Sequence, residues 1–466
     1  MIRYLLLLLL IHPFATSAQG ITASSQVYYG ELKYPDHLYR VFVTIGDLDK
    51  VGFYILGFRP NQVPVKNIMV TSDSIAFERD DFFSAFRGKW SLDKRSIKGT
   101  WFGEKKKKFP LHLTLALADT ISGVFPRIER TYTYSIPASK EGGIRPTHIS
   151  SSGINEKLLT KLGQEILDQR YGYLHSLLIA RNNNLVVEEY FYNLHSKVSW
   201  GIQSVTKSFV SALTGIAIQR SEMTGTNMTL CESLPAYREV ACNEENRNIT
   251  IGDLLSMSTG LEWDEISSDY GEPTNSLSKA TNSGDPFRFL LTRQKADKQF
   301  AYNSMNHLLM NKVLRTATCL SNKTEMKQRL MEPLGIVDYD LGERDHGILG
   351  DISLTPRDML KFGLVYLNEG SFNGKEVVPS AWVRESTSTK VTVDHELGYG
   401  YFWWTTTFQW KNRSVESFFA WGYGGQYIIV VPELKLVVVM TGSNWSTYPK
   451  RHMMEIMRDY IIPACE

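Results

Sequence analysis

Residues 200–219 read WGIQSVTKSFVSALTGIAIQ, and Ser204 and Lys207 stand three apart at the head of this apolar stretch. A serine hydroxyl is a weak nucleophile until a base takes its proton. A lysine amine can be that base when burial or a neighbouring charge holds it neutral. On a helix, positions i and i+3 share a face one turn apart, so hydroxyl and amine can meet. A serine at a helix N-terminus also gains from the positive end of the dipole as negative charge develops on the reacting oxygen. Val205, Phe209, Leu213, Ile216 and Ala217 give the predicted helix an apolar stripe suited to burial.

Ser-x-x-Lys alone is a weak signal, and it occurs three times, at Ser91/Lys94, Ser204/Lys207 and Ser276/Lys279. The first lies in a strand-and-turn pattern, where residues i and i+3 point to opposite faces. The third lies in GEPTNSLSKATNSG, which reads as a polar loop. Only Ser204 opens a predicted helix.

The elements that must hold this pair lie after residue 153. LLTKLGQEILDQR reads as a helix, and SLLIAR-NNN-LVVEEYF as a hairpin across an asparagine turn. Residues 250–345 read as mostly helical, and TPRDMLKFGLVYLNEG as a helix ending at a glycine. GYFWWTT, SFFAW and GQYIIVV-PELK-LVVVMTG read as strands, and KRHMMEIMRDYII as a closing helix. Strands near both ends with helices between predict an antiparallel sheet flanked by helices, with an all-helical insertion: an α+β domain over residues 154–466.

Residues 24–137 have a different grammar. Short alternating runs such as LYRVFVTIG, SIKGTWFG and LHLTLAL are separated by turn residues, which predicts a small all-β barrel or sandwich. PASKEGGIRPTHISSSG, at 137–153, is rich in Pro, Gly and Ser, and residues 138–153 read as a linker. At the amino terminus, MIRYLLLLLLIHPFATSAQG places one arginine before a leucine run and ends in small residues. That is the layout of a signal peptide over residues 1–18, and it predicts a secreted or periplasmic protein without a stable membrane anchor.

The net charge of +2 over 466 residues gives no footing for a nucleic-acid partner, and the KKKK run at 105–108 reads as a solvated turn. Four cysteines, Cys231, Cys242, Cys319 and Cys465, fit an exported chain with disulfides and leave three pairings open. Cys231 and Cys242 are close and flank a predicted loop, so they are the first to pair. No zinc-type spacing, HExxH or histidine cluster occurs, and no cofactor is implied. Asn-x-Ser/Thr sequons stand at Asn227, Asn248, Asn322, Asn412 and Asn444.

SVTKS leading into an apolar helix resembles the active-site helix of the serine beta-lactamase and penicillin-binding-protein superfamily. The Ser-Asp-Asn and Lys-Thr-Gly partners of that motif are missing. FAYNSMNHLL and FFAWGYGGQYIIVV stand in their place, which resembles the class C-like branch, where a tyrosine replaces Ser-Asp-Asn. That branch holds class C beta-lactamases, D-alanyl-D-alanine peptidases, carboxylesterases and 6-aminohexanoate-dimer hydrolases. The resemblance covers about residues 155–460.

It implies Ser204 as nucleophile, Lys207 as its helical partner and Tyr302 as acid/base. The oxyanion hole would be the backbone N–H groups of Ser204 and Tyr423. Ser304, Trp421, Gly422, Gly424 and Gly425 would line the substrate site. Two positions depart from the branch. Ser304 stands where class C beta-lactamases have asparagine, and Ala420-Trp421-Gly422 stands at Lys-Thr-Gly, so the cation that holds a drug's carboxylate is missing there. GYGYFWW adds Tyr399, Tyr401, Trp403 and Trp404, which with Trp421 are candidates for an aromatic wall, although aromatic strand residues are more often core. The expected activity is acyl-enzyme hydrolysis of a small ester, amide or peptide, with D-peptidase, beta-lactamase and non-catalytic binding protein as alternatives.

Overall fold

The computed structural model describes residues 26–465 apart from 34–37, 47–50, 57–58, 64, 80–83, 104–106, 117–130, 138–142, 192–194, 269–271, 345–347 and 445–448. The signal-peptide segment and part of the lysine run lie outside the described residues. The chain divides between Val124 and Phe125 into two compact units.

The first unit is all β. Its strands are β1 (Gln26–Lys33), β2 (Leu38–Ile45), β3 (Val51–Leu56), β4 (Arg59–Val63), β5 (Val65–Val70), β6 (Ser74–Arg79), β7 (Ala85–Trp90), β8 (Ser96–Phe102) and β9 (Lys108–Leu115). They form one antiparallel sheet in the order β4-β3-β2-β1-β9-β8-β7-β6-β5. Alternation along β7, β8 and β9 turns one face inward, so Phe86, Ile97, Trp101, Leu111 and Leu113 are buried while Arg87, Lys89, Lys98 and His112 are exposed. The sheet curls on itself: Phe53 of β3 stacks on Trp101 of β8 at 5.1 Å, though three strands separate them in sheet order. Gly99 permits the tight interior, since a Cβ there would meet the Phe86 ring at 2.5 Å. Of the expected barrel or sandwich, the unit takes the form of a single near-barrel sheet.

The second unit is α+β. Its main sheet contains β10 (Arg145–Pro146), β11 (Leu174–Arg181) and β12 (Asn184–Tyr190). A three-stranded sheet is made by β13 (Trp200–Gly201), β14 (Asp340–Arg344) and β15 (Ile348–Leu354), and β16 (Ser371–Phe372) pairs with β17 (Lys375–Glu376). The main sheet is completed by β18 (Val391–Thr392), β19 (Leu397–Tyr399), β20 (Trp404–Trp410), β21 (Arg413–Gly422), β22 (Gln426–Val431) and β23 (Leu436–Gly442). Its order is β10-β12-β11-β23-β22-β21-β20-β19-β18. The two ends of the domain sequence therefore meet where β11 pairs with β23, Leu178 opposite Val439. The β11–β12 hairpin turns through Asn182 and Asn183, both at positive φ, as a two-residue asparagine turn requires.

Residues 144–153, expected as linker, belong to this unit instead. Ile144 and Ile149 are buried, Arg145 and Pro146 pair with β12, and a 3-10 turn spans Ile149–Ser152. Residues 132–134, expected in the β unit, also pack here. The Tyr132 hydroxyl donates to Glu189 at 2.8 Å, and that of Tyr134 to the Val186 carbonyl at 3.0 Å. Isolated apolar residues in a Pro/Gly/Ser-rich run carry no periodicity, so composition alone misassigned them.

The helix Thr206–Gln219 departs from an amphipathic stripe, because every residue from Thr206 to Ala217 is buried. A helix covered on all sides is a core helix. Phe209 stacks on Phe362 of the Pro356–Leu367 helix at 3.7 Å, and the Ser208 hydroxyl donates to the Phe402 carbonyl at 2.7 Å. Cys231 and Cys242 are disulfide-bonded, whereas Cys319 is exposed and Cys465 buried as free thiols. Asn227, Asn248 and Asn412 are exposed. Asn322 and Asn444 are buried and hydrogen-bonded to backbone, a position closed to a glycan.

Beyond the central helix, Arg329 makes a forked pair with Glu222 at 2.6 and 2.8 Å. Glu325 is fully buried beside it, 3.4 Å from the same guanidinium. Burial pushes the Glu325 carboxyl up to about 7, against the partial pull of Arg329. A folded-state value above the unfolded one means that stability is fullest below the unfolded pKa and is lost as pH rises through about 7. Glu325→Gln should therefore unfold at nearly the parental temperature at pH 5 and several degrees above it at pH 8. Thermal melts at the two pH values check this, and an equal difference at both would contradict it.

Candidate active site

Ser204 sits where a short strand gives way to the core helix. Trp200 and Gly201 pair with Leu354 and Ser353 of β15, and the Ile202 N–H donates to the Ile352 carbonyl at 2.8 Å. Gln203 then adopts φ +53°, and a 3-10 turn over Gln203–Val205 runs into the helix. A non-glycine residue in the left-handed region costs about 1–3 kcal/mol and persists where its surroundings fix it. Here the strand pairing fixes one side and the buried helix the other. The Thr206 hydroxyl adds a tie to Asp351 of β15 at 3.0 Å.

Lys207 follows one turn later. Its side chain is buried, and Nζ donates to Ser204 Oγ at 2.9 Å. Nζ also lies 5.0 Å from the centre of the Tyr302 ring. Burial, and next the Glu265 charge, raise the Tyr302 phenol well above its ordinary value, while a hydrogen bond with Ser204 pulls it down. The phenol is therefore held protonated at neutral pH. Segment 255–257 braces this side: the Met257 carbonyl accepts from Ala301 N–H at 2.9 Å, and the Leu255 carbonyl accepts from Phe402 N–H at 2.9 Å.

The aromatic residues at the β19–β20 connection divide between two sides: Tyr399 and Trp404 are cross-strand partners, and Tyr401 and Trp403 lie in the connection between them. Tyr399 and Trp404 face the site: Trp404 stacks on Tyr302 at 6.0 Å and meets Trp421 at 5.3 Å. Tyr401 and Trp403 turn away, Tyr401 onto Trp382 and Trp403 onto Phe362 and Tyr366. Trp404 and Trp421 thus form a wall beside Tyr302, and Trp421 adds an indole and no charge.

Gly422, Tyr423, Gly424 and Gly425 make the tight turn between β21 and β22, with Gly424 and Gly425 at φ +84° and +97°. Gly422 packs against the Ser204 turn so closely that a Cβ there would lie 2.3 Å from the Ile202 carbonyl oxygen. This holds the end of β21 against the backbone at Ile202 and the side chain of Gln203. Two residues to which the sequence assigns no role in the site hold the turn. Asn444 donates its N–H to the Gly424 carbonyl at 2.8 Å, and Gln426 donates its amide to the Gly442 carbonyl at 2.6 Å.

A third missed residue is Glu265. It is buried and accepts from the Trp263 indole at 2.8 Å, the Ser304 N–H at 2.8 Å and the Ser304 hydroxyl at 2.7 Å. Ser304, the first residue of the Ser304–Thr318 helix, in turn accepts from Lys207 Nζ at 3.4 Å. The structure therefore brings Ser204, Lys207, Tyr302 and Ser304 together. The other two Ser-x-x-Lys pairs are not built this way. Lys94 lies over Trp90, and Ser276, which begins the short Ser276–Thr281 helix rather than a loop, accepts from the Asp264 N–H while Lys279 is exposed.

Residues 172–455 match the family model described as Beta-lactamase. The chain belongs to the beta-lactamase family. Among curated proteins it is 22% identical over 300 residues to an uncharacterized protein of Alkalihalophilus pseudofirmus, spanning 58% of this chain and 84% of that one. Among solved structures it is similar in fold to a putative 6-aminohexanoate-dimer hydrolase from Bacillus anthracis, with TM-score 0.53 and 20% identity over 65% of this chain and 81% of that one. EstCE1, a hydrolase with promiscuous acyltransferase activity, has TM-score 0.51 and 14% identity over 66% of this chain and 97% of its own. The match begins near β11 and ends in the last helix, so it covers every residue of the site and none of the first unit.

Within this beta-lactamase fold, the approach of Gly422 to the Ser204 turn is the tightest constraint on the site. Gly422→Ala is expected to displace one backbone or the other and to slow labelling of Ser204 by a fluorophosphonate on the order of a hundredfold, because misplacement by an ångström costs about that much. Far-UV circular dichroism should stay unchanged. A parental labelling rate would show that the close approach is irrelevant to reactivity.

Proposed function

We propose that this protein is an exported serine hydrolase that acylates Ser204 with a small ester or neutral amide and releases the acyl group to water. The observation that carries the reading is the 2.9 Å hydrogen bond between the buried Lys207 amine and Ser204 Oγ, with the Tyr302 ring centre 5.0 Å from the same amine. In the first step Lys207 takes the hydroxyl proton while Oγ bonds to the substrate carbonyl carbon. The carbonyl oxygen becomes an oxyanion, and the N–H groups of Ser204 and Tyr423 are its donors, at about 2.7–4 kcal/mol each. Collapse breaks the bond to the leaving group, and Tyr302 supplies the departing atom with a proton. Water then repeats the sequence in reverse against the acyl-enzyme.

The substrate class follows from the wall. A beta-lactam brings a carboxylate, and Trp421 meets it with an indole. Leaving that charge unpaired against an apolar surface costs several kcal/mol, and each ~1.4 kcal/mol is tenfold in rate. Esters and neutral amides carry no such charge and still use the backbone donors. A 6-aminohexanoate-dimer hydrolase and a hydrolase with promiscuous acyltransferase activity among the fold neighbours agree with acyl transfer as the chemistry.

Short-chain p-nitrophenyl esters should therefore be hydrolysed with a kcat/KM at least tenfold above that for nitrocefin on one preparation. The reverse order would overturn the ester reading. Ser204→Ala should abolish ester turnover without loss of fold, and near-parental activity would remove Ser204 from the mechanism. Export is supported by the layout of residues 1–18. Amino-terminal sequencing of exported protein should begin near Gln19, and a start at Met1 would contradict cleavage.

A further inference from the structure

Glu265 is a buried carboxylate that accepts hydrogen bonds from Trp263, the Ser304 amide and the Ser304 hydroxyl. A buried charge is costly without such partners, and two of the three come from one residue. The geometry has a direction. The single proton of the Ser304 hydroxyl points to Glu265 at 2.7 Å, so its oxygen is left to face Lys207 Nζ as an acceptor at 3.4 Å. An asparagine at this position would present an amide N–H to a substrate. Ser304, with its only proton committed inward, presents none. The carboxylate also lies at the N-terminus of the Ser304–Thr318 helix, where the dipole favours a negative charge.

We propose that Glu265 is a positioning residue for the reaction: through Ser304 it aims the Lys207 amine at Ser204, and its charge sets the electrostatic potential shared by Lys207 and Tyr302. The proposal rests on the reading of Ser204 as nucleophile and Lys207 as base. The action of Glu265 has two separable parts. The first is orientation, carried by the Ser304 hydroxyl. The second is charge, which acts across the low-dielectric interior without a contact.

The charge part makes a signed prediction. A nearby carboxylate favours protonated Lys207 and protonated Tyr302 alike, because it opposes loss of a proton from either. The Glu265 charge is already one of the forces that hold the Tyr302 phenol up. Replacing it by a neutral amide therefore moves both limbs of a pH profile the same way, to lower pH. Other titratable groups near this pair are Asp351 of β15, tied to Thr206, His307, whose Nδ1 lies 3.4 Å from the Ser304 carbonyl, and Tyr399, whose own phenol is raised by burial and then by Tyr302. All three remain in the variants below, so a shift common to both limbs is assigned to position 265.

The test follows the second-order rate of fluorophosphonate labelling of Ser204 against pH in the full chain, for the parent, Glu265→Gln and Ser304→Ala. This reads activation of the serine and does not depend on which ester or amide is turned over. Glu265→Gln, which is isosteric, should shift both limbs down by about one pH unit. Ser304→Ala keeps the charge and breaks the bridge, so it should lower the plateau about tenfold or more with the limbs in place. In the double variant the limb shift should persist. Limbs unmoved in Glu265→Gln, or moved equally in Ser304→Ala, would overturn the proposal. Should Glu265→Gln fail to fold, Ser304→Ala alone still decides, since a parental plateau contradicts the bridge. No labelling of the parent would instead overturn the hydrolase reading, and the proposal with it.

Discussion

Burial of the Lys207 amine is the constraint on which the second unit depends. Taking an amine out of water costs several kcal/mol unless hydrogen-bond partners meet it. Ser204 and Ser304 meet it at 2.9 and 3.4 Å. For those contacts to exist, the helix that carries Lys207 must run through the core, its entry must turn sharply at Gln203, and the Ser304–Thr318 helix must deliver its first residue to the same point. The sheet then closes the site from the other side, with β21 packed on the Ser204 turn through a residue that has no side chain. Each element is explained by what it brings to that amine.

Much of the site is legible in the sequence because it is local. Ser204 and Lys207 are one helical turn apart, and glycines at 422, 424 and 425 mark a place where backbone must come close. Tyr302 carries no local signal and is recognised only by its order between the serine helix and the glycine strand. The parts played in the site by Glu265, Gln426 and Asn444 are invisible for a related reason. An acid in LEWDE or an asparagine after MTG is indistinguishable from a surface residue until the chain folds, and their partners lie tens to hundreds of residues away. The break between β19 and β20, which pairs Tyr399 with Trp404 and turns Tyr401 and Trp403 toward the core, is readable only once the strand ends at Tyr399 and Trp404 are known.

Domain organisation shows the same division. Alternation in short runs reveals the β unit, and strands near both ends of the domain imply one antiparallel sheet, whereas the pairing of β11 with β23 is known only from the fold. The boundary was misplaced. Tyr132, Tyr134, Ile144 and Ile149 are single apolar residues among turn formers, and they pack on the second unit one at a time. Periodicity detects faces, and isolated anchors have none. The first unit lies outside the family match, and its exposed face at Arg87, Lys89, Lys98 and His112 sets it apart from the largely apolar site described above.

The account stands or falls on a covalent intermediate at one atom. Rapid quenching of the full chain with a p-nitrophenyl ester, followed by peptide mass mapping, tests it directly. The account predicts one acyl group per chain, on the peptide that contains Ser204, formed within the first turnover and lost on standing. An acyl group on any other residue, or burst-free turnover with no adduct, would contradict it.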